Sequence, residues 1–368
     1  MIPVFEPLLG ENETRYVNRC LETNWISSQG EYIKTFEERL AAFHGVKHAV
    51  VTSNCTTALH LALLAKGLGP GDEVLCPDLT FIAPANMIVL AGAKLVLVDI
   101  DPETLTIDPA KAACKITSRT KAIMVVHQFG HAAHMDEIMA LAREHGLAVI
   151  EDNAESLGGR YRGKLLGTIG DAACLSFFAN KIITTGEGGA VVTDDDGLAE
   201  KCQILRDHGM SRSVRYHHVD LGYNYRMTNL QAAIGLAQLE RLPEILARRM
   251  GQMEHYYRLL KEVEGCSLRP FAAWTTPVHW LMTLTLAERF RRDDFIAFMR
   301  GQGVDCRQMV NPVHRADHFI KLHDEAEFPN SVRLSTQSVH LPSSTSLTGE
   351  QIESIVERVK GFLQTRQP

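Results

Sequence analysis

The sequence predicts a large, mostly parallel α/β sheet with both faces covered, followed by a smaller α+β unit. Two observations carry this. Short apolar runs alternate with helically spaced segments from about residue 35 to about residue 240, and strands without a polar face belong in sheets buried on both sides. At 368 residues the chain also exceeds what one hydrophobic core usually serves, so a second unit is expected.

The elements support the reading in order. Residues 36–43 have helical spacing and residues 49–52 form a short apolar strand. Residues 56–66 return to helical spacing, with Leu59, Leu63 and Leu64 on one face. Gly69, Pro70, Gly71 and Asp72 make a turn. Strands follow at 73–76, 95–99, 122–126 and 148–152, with a helix at 135–145. Residues 173–178 and 189–193 read as two more strands flanking a glycine-rich loop, and 230–250 as one long helix containing Pro243. Beyond it, 282–286 alternates like a strand, and 292–301 and 349–363 look helical. This places the large unit at 1–250 and the small one at 251–368.

Composition narrows the function. A formal net charge of −6 argues against a nucleic-acid or anionic-membrane partner, though not against a local basic pocket. The eight cysteines are scattered without zinc-like spacing, as expected of free thiols in a reducing cytoplasm. The first residues lack a basic, apolar leader, and no stretch approaches a membrane span, so neither a signal peptide nor membrane insertion is expected.

Several segments could carry chemistry. Lys181 follows an aromatic strand end, Phe177-Phe178, and precedes Thr185-Gly186-Glu187-Gly188-Gly189. Enclosure by small and apolar residues would favour the neutral amine that attacks an aldehyde, whereas most loop lysines are simply solvated. Asp152 and Glu155 follow a strand at the edge where open α/β folds bind ligands. A buried carboxylate there can keep a pyridine nitrogen protonated; a helix N-cap is the plainer role. Cys55 and Thr56 lie between a strand and a helix, where backbone amides bind phosphate, and Ser176 can add a hydroxyl. Phe81 could stack on a flat ring or belong to the core. His127, His131 and His134 cluster without supporting cysteines or carboxylates, and no metal site is expected.

Taken in order, these motifs resemble the DegT-type nucleotide-sugar aminotransferase family, enzymes of fold type I that use pyridoxal 5'-phosphate (PLP). The resemblance spans nearly the whole chain. It runs through the entry segment from Asn24 to Gly30, the Gly69-Pro70-Gly71-Asp72 turn, Ile150-Glu151-Asp152, the Lys181 loop, Gly222-Tyr223-Asn224-Tyr225-Arg226-Met227-Thr228, Asn311-Pro312-Val313-His314 and Leu341-Pro342. It implies that Lys181 holds the cofactor as a Schiff base and shuttles protons, that Asp152 pairs with the ring nitrogen, and that Glu155 sits near the ring hydroxyl. Phe81 would stack on the ring. Ser176, the amides of Cys55 and Thr56, and Asn224 of a second subunit would hold the phosphate. Substrate contacts are expected from Trp25, Ser27, His127, Tyr225 and His314. The family's enzymes are homodimers with shared active sites.

The Lys181 loop and the run from Arg226 to Glu240 are similar to the subgroup that aminates a GDP-linked 4-keto-6-deoxysugar. The resemblance therefore implies glutamate as donor, pyridoxamine phosphate as the aminated cofactor, and GDP-4-keto-6-deoxymannose converted to GDP-perosamine for surface polysaccharide synthesis. A 3- or 4-aminotransferase on a UDP- or dTDP-ketosugar is the sister reading. A sugar dehydratase or an inactive binding homologue is the alternative of another class. Departures from the family pattern concentrate near the expected substrate: Cys55 in place of glycine, Gln128-Phe129-Gly130, His134, and the run from Arg307 to Pro312.

Overall fold

The computed structural model describes residues 1–319 and 324–365. Its strands are, in chain order, β1 (His48–Thr52), β2 (Glu73–Pro77), β3 (Lys94–Val98), β4 (Thr120–Val126), β5 (Ala148–Asp152), β6 (Arg160–Tyr161), β7 (Lys164–Leu165), β8 (Ala172–Ser176) and β9 (Gly189–Thr193), then β10 (Cys266–Leu268), β11 (Thr275–Thr276), β12 (Met282–Leu286), β13 (Arg307–Gln308) and β14 (Ser338–Leu341). Its α-helices are α1 (Glu11–Thr23), α2 (Glu31–His44), α3 (Cys55–Ala65), α4 (Ala83–Leu90), α5 (Pro109–Cys114), α6 (Met135–His145), α7 (Asp196–Arg206), α8 (Asn229–Glu240), α9 (Leu242–Leu260), α10 (Arg292–Gly301), α11 (Pro329–Gln337) and α12 (Gly349–Thr365).

The main sheet has the order β1-β9-β8-β5-β4-β2-β3. The pairings β2–β3, β2–β4, β4–β5 and β5–β8 are parallel, and β9 alone runs antiparallel to both of its neighbours. Residues of β2, β8 and β9 are buried throughout, which explains why these strands read as unbroken apolar runs. A four-stranded antiparallel sheet, β10-β12-β14-β13, forms later in the chain with α9, α10 and α12 packed on it. A three-stranded ribbon, β11-β6-β7, completes the sheets.

Three expectations change. The single helix expected over 230–250 is two, α8 and α9, broken at Arg241. Pro243 lies in the first turn of α9, where its missing N–H costs nothing and its fixed φ starts a new helix. Position 250 therefore lies inside the continuous helix α9. The strand expected over 173–178 ends at Ser176, because Phe177 turns away to bond Gly188 and Thr185 across the following loop. In α3, Leu61 and Ala62 are buried along with Leu59 and Leu63, so that helix is covered all round rather than on one face.

Candidate active site

The parallel strands deliver their carboxyl ends to one edge of the main sheet, the edge where open α/β sheets bind ligands. Asp152 ends β5, Ser176 ends β8, and β1 leads directly into α3. The antiparallel β9 begins at the same edge with Gly189, which pairs with Thr52 and Ser176. A cavity of about 520 Å³ opens there, lined among others by Cys55, Thr56, Phe81, Asp152, Glu155, Ser176 and Lys181. The seven residues that the sequence assigns to the cofactor from this chain are thus gathered around one space.

Asp152 is buried at the cavity floor. One oxygen accepts from the Ala154 amide at 3.0 Å. Burial pushes its carboxyl up to about 6; the Ala154 amide opposes the rise, Glu155 adds to it, and Lys181 and His127 oppose it. A desolvated carboxylate of this kind favours a positively charged N–H partner.

Lys181 lies in the loop between β8 and β9. Phe177 N donates to Gly188 O at 2.8 Å, Thr185 N to Phe177 O at 2.8 Å, and Lys181 N to Phe178 O at 2.9 Å. Gly186 takes φ +81°, a conformation that favours glycine, at the tip of the turn. Within the expected apolar enclosure the amine also meets a carboxylate. The Lys181 Nζ is 3.4 Å from Glu155 Oε1 and 3.7 Å from the centroid of the Trp280 ring. Burial pushes the Glu155 carboxyl up, while Lys181 and the Phe129 amide, which donates to Oε2 at 2.8 Å, hold it down.

The opposite end of the cavity is the N-terminus of α3. Asn54 caps it by accepting from Thr57 N at 2.9 Å, which leaves the first helical amides, those of Cys55 and Thr56, without intrahelical partners. Open amides with the helix dipole behind them suit a phosphate. Cys55 is an ordinary helical residue and is not among those with positive φ, so cysteine there carries no backbone strain. A Cβ on Gly189 would stand 2.5 Å from Asn54 C and Cys55 N; only glycine lets β9 pass this close to the helix end.

These features fit PLP: amides and Ser176 for its phosphate, Lys181 for its aldehyde, and buried Asp152 for its ring nitrogen, with Phe81 exposed at the mouth. The remaining expected residues are not brought to this cavity by their own chain. Asn224 is exposed and accepts from Arg226 Nε at 3.0 Å. Trp25 is also exposed, and the Ser27 carbonyl accepts from Asn229 N. Tyr225 stacks on Tyr223, with ring centroids 4.7 Å apart.

Two of the expected substrate-side residues are engaged within their own chain. His127 is fully buried, with Nε2 2.8 Å from Glu151 and Nδ1 accepting from Ala133 N at 3.1 Å, so no nitrogen is left for a substrate. His314 is buried too; its Nδ1 bonds Asp78 at 2.8 Å and its ring stacks on Phe328.

Sequence reasoning missed the cavity residues Trp280, Leu281 and His340, while Phe129 and Arg307 lie in the departing runs expected near the substrate. It also missed Arg269, whose buried guanidinium donates to the carbonyls of Gln128 at 2.9 Å and Phe129 at 3.0 Å. This clamp holds the Gln128-Phe129-Gly130 turn, in which Phe129 has φ +51°.

Known proteins resemble this chain over nearly its whole length. The model of the DegT/DnrJ/EryC1/StrS aminotransferase family matches residues 7–360. The GDP-perosamine synthase of Caulobacter vibrioides is 46% identical over 358 residues, covering 96% of each chain. That of Vibrio cholerae is 40% identical over 366 residues, covering 98% of this chain and 99% of the relative. Among solved structures, the aminotransferase TlmJ from Streptoalloteichus hindustanus superposes with a TM-score of 0.93 at 32% identity, covering 99% of both chains.

Proposed function

The chain belongs to the DegT/DnrJ/EryC1/StrS aminotransferase family, and from that premise we propose that it moves the amino group of L-glutamate to the C4 ketone of GDP-4-keto-6-deoxymannose, forming 2-oxoglutarate and GDP-perosamine. The cofactor is pyridoxal 5'-phosphate. The observation that carries the reading is the placement of Lys181, buried Asp152 and the open end of α3 around one cavity. Identity of 46% and 40% to two GDP-perosamine synthases supports the GDP-sugar.

Bound in this cavity, the cofactor supplies an aldehyde that carries the amino group and a ring that accepts electrons from the breaking C–H bond. Lys181 would anchor it and, once released, would carry the proton from the α-carbon of glutamate to the cofactor's reacting carbon and, in the second half, from that carbon to C4 of the sugar. Asp152 holds the ring nitrogen in its protonated form. Ser176 and the amides of Cys55 and Thr56 fix the phosphate, so the reacting carbon is presented to Lys181 rather than free to turn.

Asn224, exposed on its own chain and outside that chain's cavity lining, would serve the cavity of a second copy. The exposed Phe178, Phe81 and Leu90 supply apolar surface for such a copy to cover, in keeping with a homodimer with shared active sites. Eight free cysteines suit a cytoplasmic enzyme. Among the described residues no helix is long and apolar enough to cross a membrane.

The test has two halves. Glutamate alone should convert the PLP chromophore to that of pyridoxamine phosphate, which a dehydratase or an inactive homologue would not do. The aminated enzyme is then offered GDP-, UDP- and dTDP-linked ketosugars. Return of the PLP chromophore with the GDP-sugar supports the proposal; return only with a UDP- or dTDP-sugar overturns the substrate and leaves the transaminase intact.

A further inference from the structure

Lys181, once free of the cofactor, is an amine on a long flexible stem that is cationic whenever it carries the shuttled proton, and it must stay within reach of the reacting carbon through each half-reaction. Its surroundings form a closed circuit of contacts. On one side lies Glu155 Oε1 at 3.4 Å; on another lies the face of Trp280, with its centroid at 3.7 Å. Trp280 is itself buried and pinned, its Nε1 donating to Asn180 O at 2.6 Å, on the residue next to the lysine. Its ring stacks on Phe129, with centroids 6.0 Å apart and planes within 6°. Phe129 in turn is tied back through its amide to Glu155 Oε2 at 2.8 Å and through its carbonyl to Arg269 at 3.0 Å.

We propose that Trp280 is the docking face for the Lys181 amine whenever that amine is free and carries a proton, and so a positioning residue for proton transfer. This rests on the reading of Lys181 as the cofactor's anchor. An indole is the strongest of the aromatic faces for a cation, and at a partly desolvated site it should favour the docked position roughly threefold to thirtyfold. Glu155 alone would leave the amine free to swing about a single carboxylate. The second contact, held at a fixed distance by the Asn180 and Phe129 links, confines it to one side of the cavity. Trp280 adds no proton acceptor of its own, because the indole N–H is a donor only.

The test uses the enzyme converted by excess glutamate to its pyridoxamine phosphate form, in which Lys181 is free. Trace acetylation with acetic anhydride, read by mass spectrometry at Lys181 against the exposed Lys34, measures how well the amine is held. Trp280→Leu should raise relative labelling of Lys181 by about threefold or more and lower kcat by about tenfold with KM for glutamate unchanged, whereas Trp280→Phe should restore most of both. Equal labelling in wild type and Trp280→Leu, or equal behaviour of the Leu and Phe variants, overturns the proposal. Should Trp280→Leu fail to fold, Trp280→Met against wild type decides it in the same way: a side chain of similar reach without a π face should label faster, and equal labelling overturns docking. Borohydride reduction of the PLP form separates the two readings, since failure to fix the cofactor on Lys181 would refute the anchor itself and not the dock.

Discussion

His127 donates from Nε2 to Glu151 at 2.8 Å, one residue before Asp152 on the same strand. Because Nδ1 accepts from Ala133 N, the hydrogen-bond network assigns the neutral tautomer with its proton on Nε2. Glu151 also accepts from the amides of Gly167 and Ile169 at 2.8 Å and Gly170 at 2.6 Å. A single buried carboxylate thus ties the loop after β4 and the segment before β8 to the end of β5.

Glu151→Ala should therefore destabilise the protein by about 3 kcal/mol or more, because it strands several buried donors at once. Burial by itself would raise this carboxyl; the His127 bond and the Gly170 and Gly167 amides hold it below its ordinary 4.5. A depressed carboxyl contributes stability above pH 4.5 that is lost as pH falls through its folded value. Urea midpoints measured from pH 7 down to pH 3 should fall less steeply in the variant than in wild type.

Asp152 has the opposite sign. Its carboxyl is raised from 3.8 to about 6, chiefly by burial, so its contribution is fully present below pH 3.8 and lost as pH rises through about 6. In the cofactor-free protein at pH 8, Asp152→Asn should be more stable by up to about 3 kcal/mol, the equivalent of that displacement. The same variant should lose roughly a hundredfold or more in kcat, because the ring nitrogen loses its charged partner. Thermal melts of the cofactor-free form beside steady-state rates of the loaded enzyme check both.

Gly189→Ala places a Cβ against backbone, 2.5 Å from Asn54 C and Cys55 N and 2.6 Å from Asn54 O. Backbone cannot rotate aside as a flexible side chain can, so the end of α3 must shift. PLP affinity in a fluorescence titration should fall at least roughly tenfold, with a stability loss of about 1–3 kcal/mol.

Cys55→Gly should behave differently. Cys55 is helical and buried, so glycine there costs about 1 kcal/mol in backbone entropy plus the lost packing. Its amide survives the exchange, and PLP affinity should stay within about threefold of wild type. A chemical melt and the same titration separate the two effects.

Local elements were legible because their causes are local. The apolar runs of β2, β4, β5 and β9, and the helices α6 and α10, follow from periodicity alone. The break at Arg241 was not, since Pro243 sits as comfortably in a first turn as it would mark a kink. Lys181, Asp152 and the end of α3, singled out by the motifs they stand in, line one cavity. Trp280 and Arg269 were not singled out, because their partners, Asn180 and the Gln128 carbonyl, are far away in sequence. The internal partners of His127 and His314 were hidden for the same reason. Nothing near them in sequence shows that a distant carboxylate bonds one nitrogen of each ring. Asn224, Trp25 and Tyr225 stand away from their own chain's cavity, where no reading of one chain could connect them.

The loop that bears Lys181 leaves β8 and returns as its antiparallel neighbour β9, closed at its base by the pairing of Phe177 with Gly188 and Thr185. The lysine therefore hangs from a span of fixed contour length with both ends fastened to the same sheet. One residue more or less in that span changes the contour by about 3.3 Å, roughly the separation of Lys181 from Glu155, while the sheet beneath keeps its register. For enzyme redesign this makes the segment a ruler: its residue count sets the amine's reach independently of the strands that carry it.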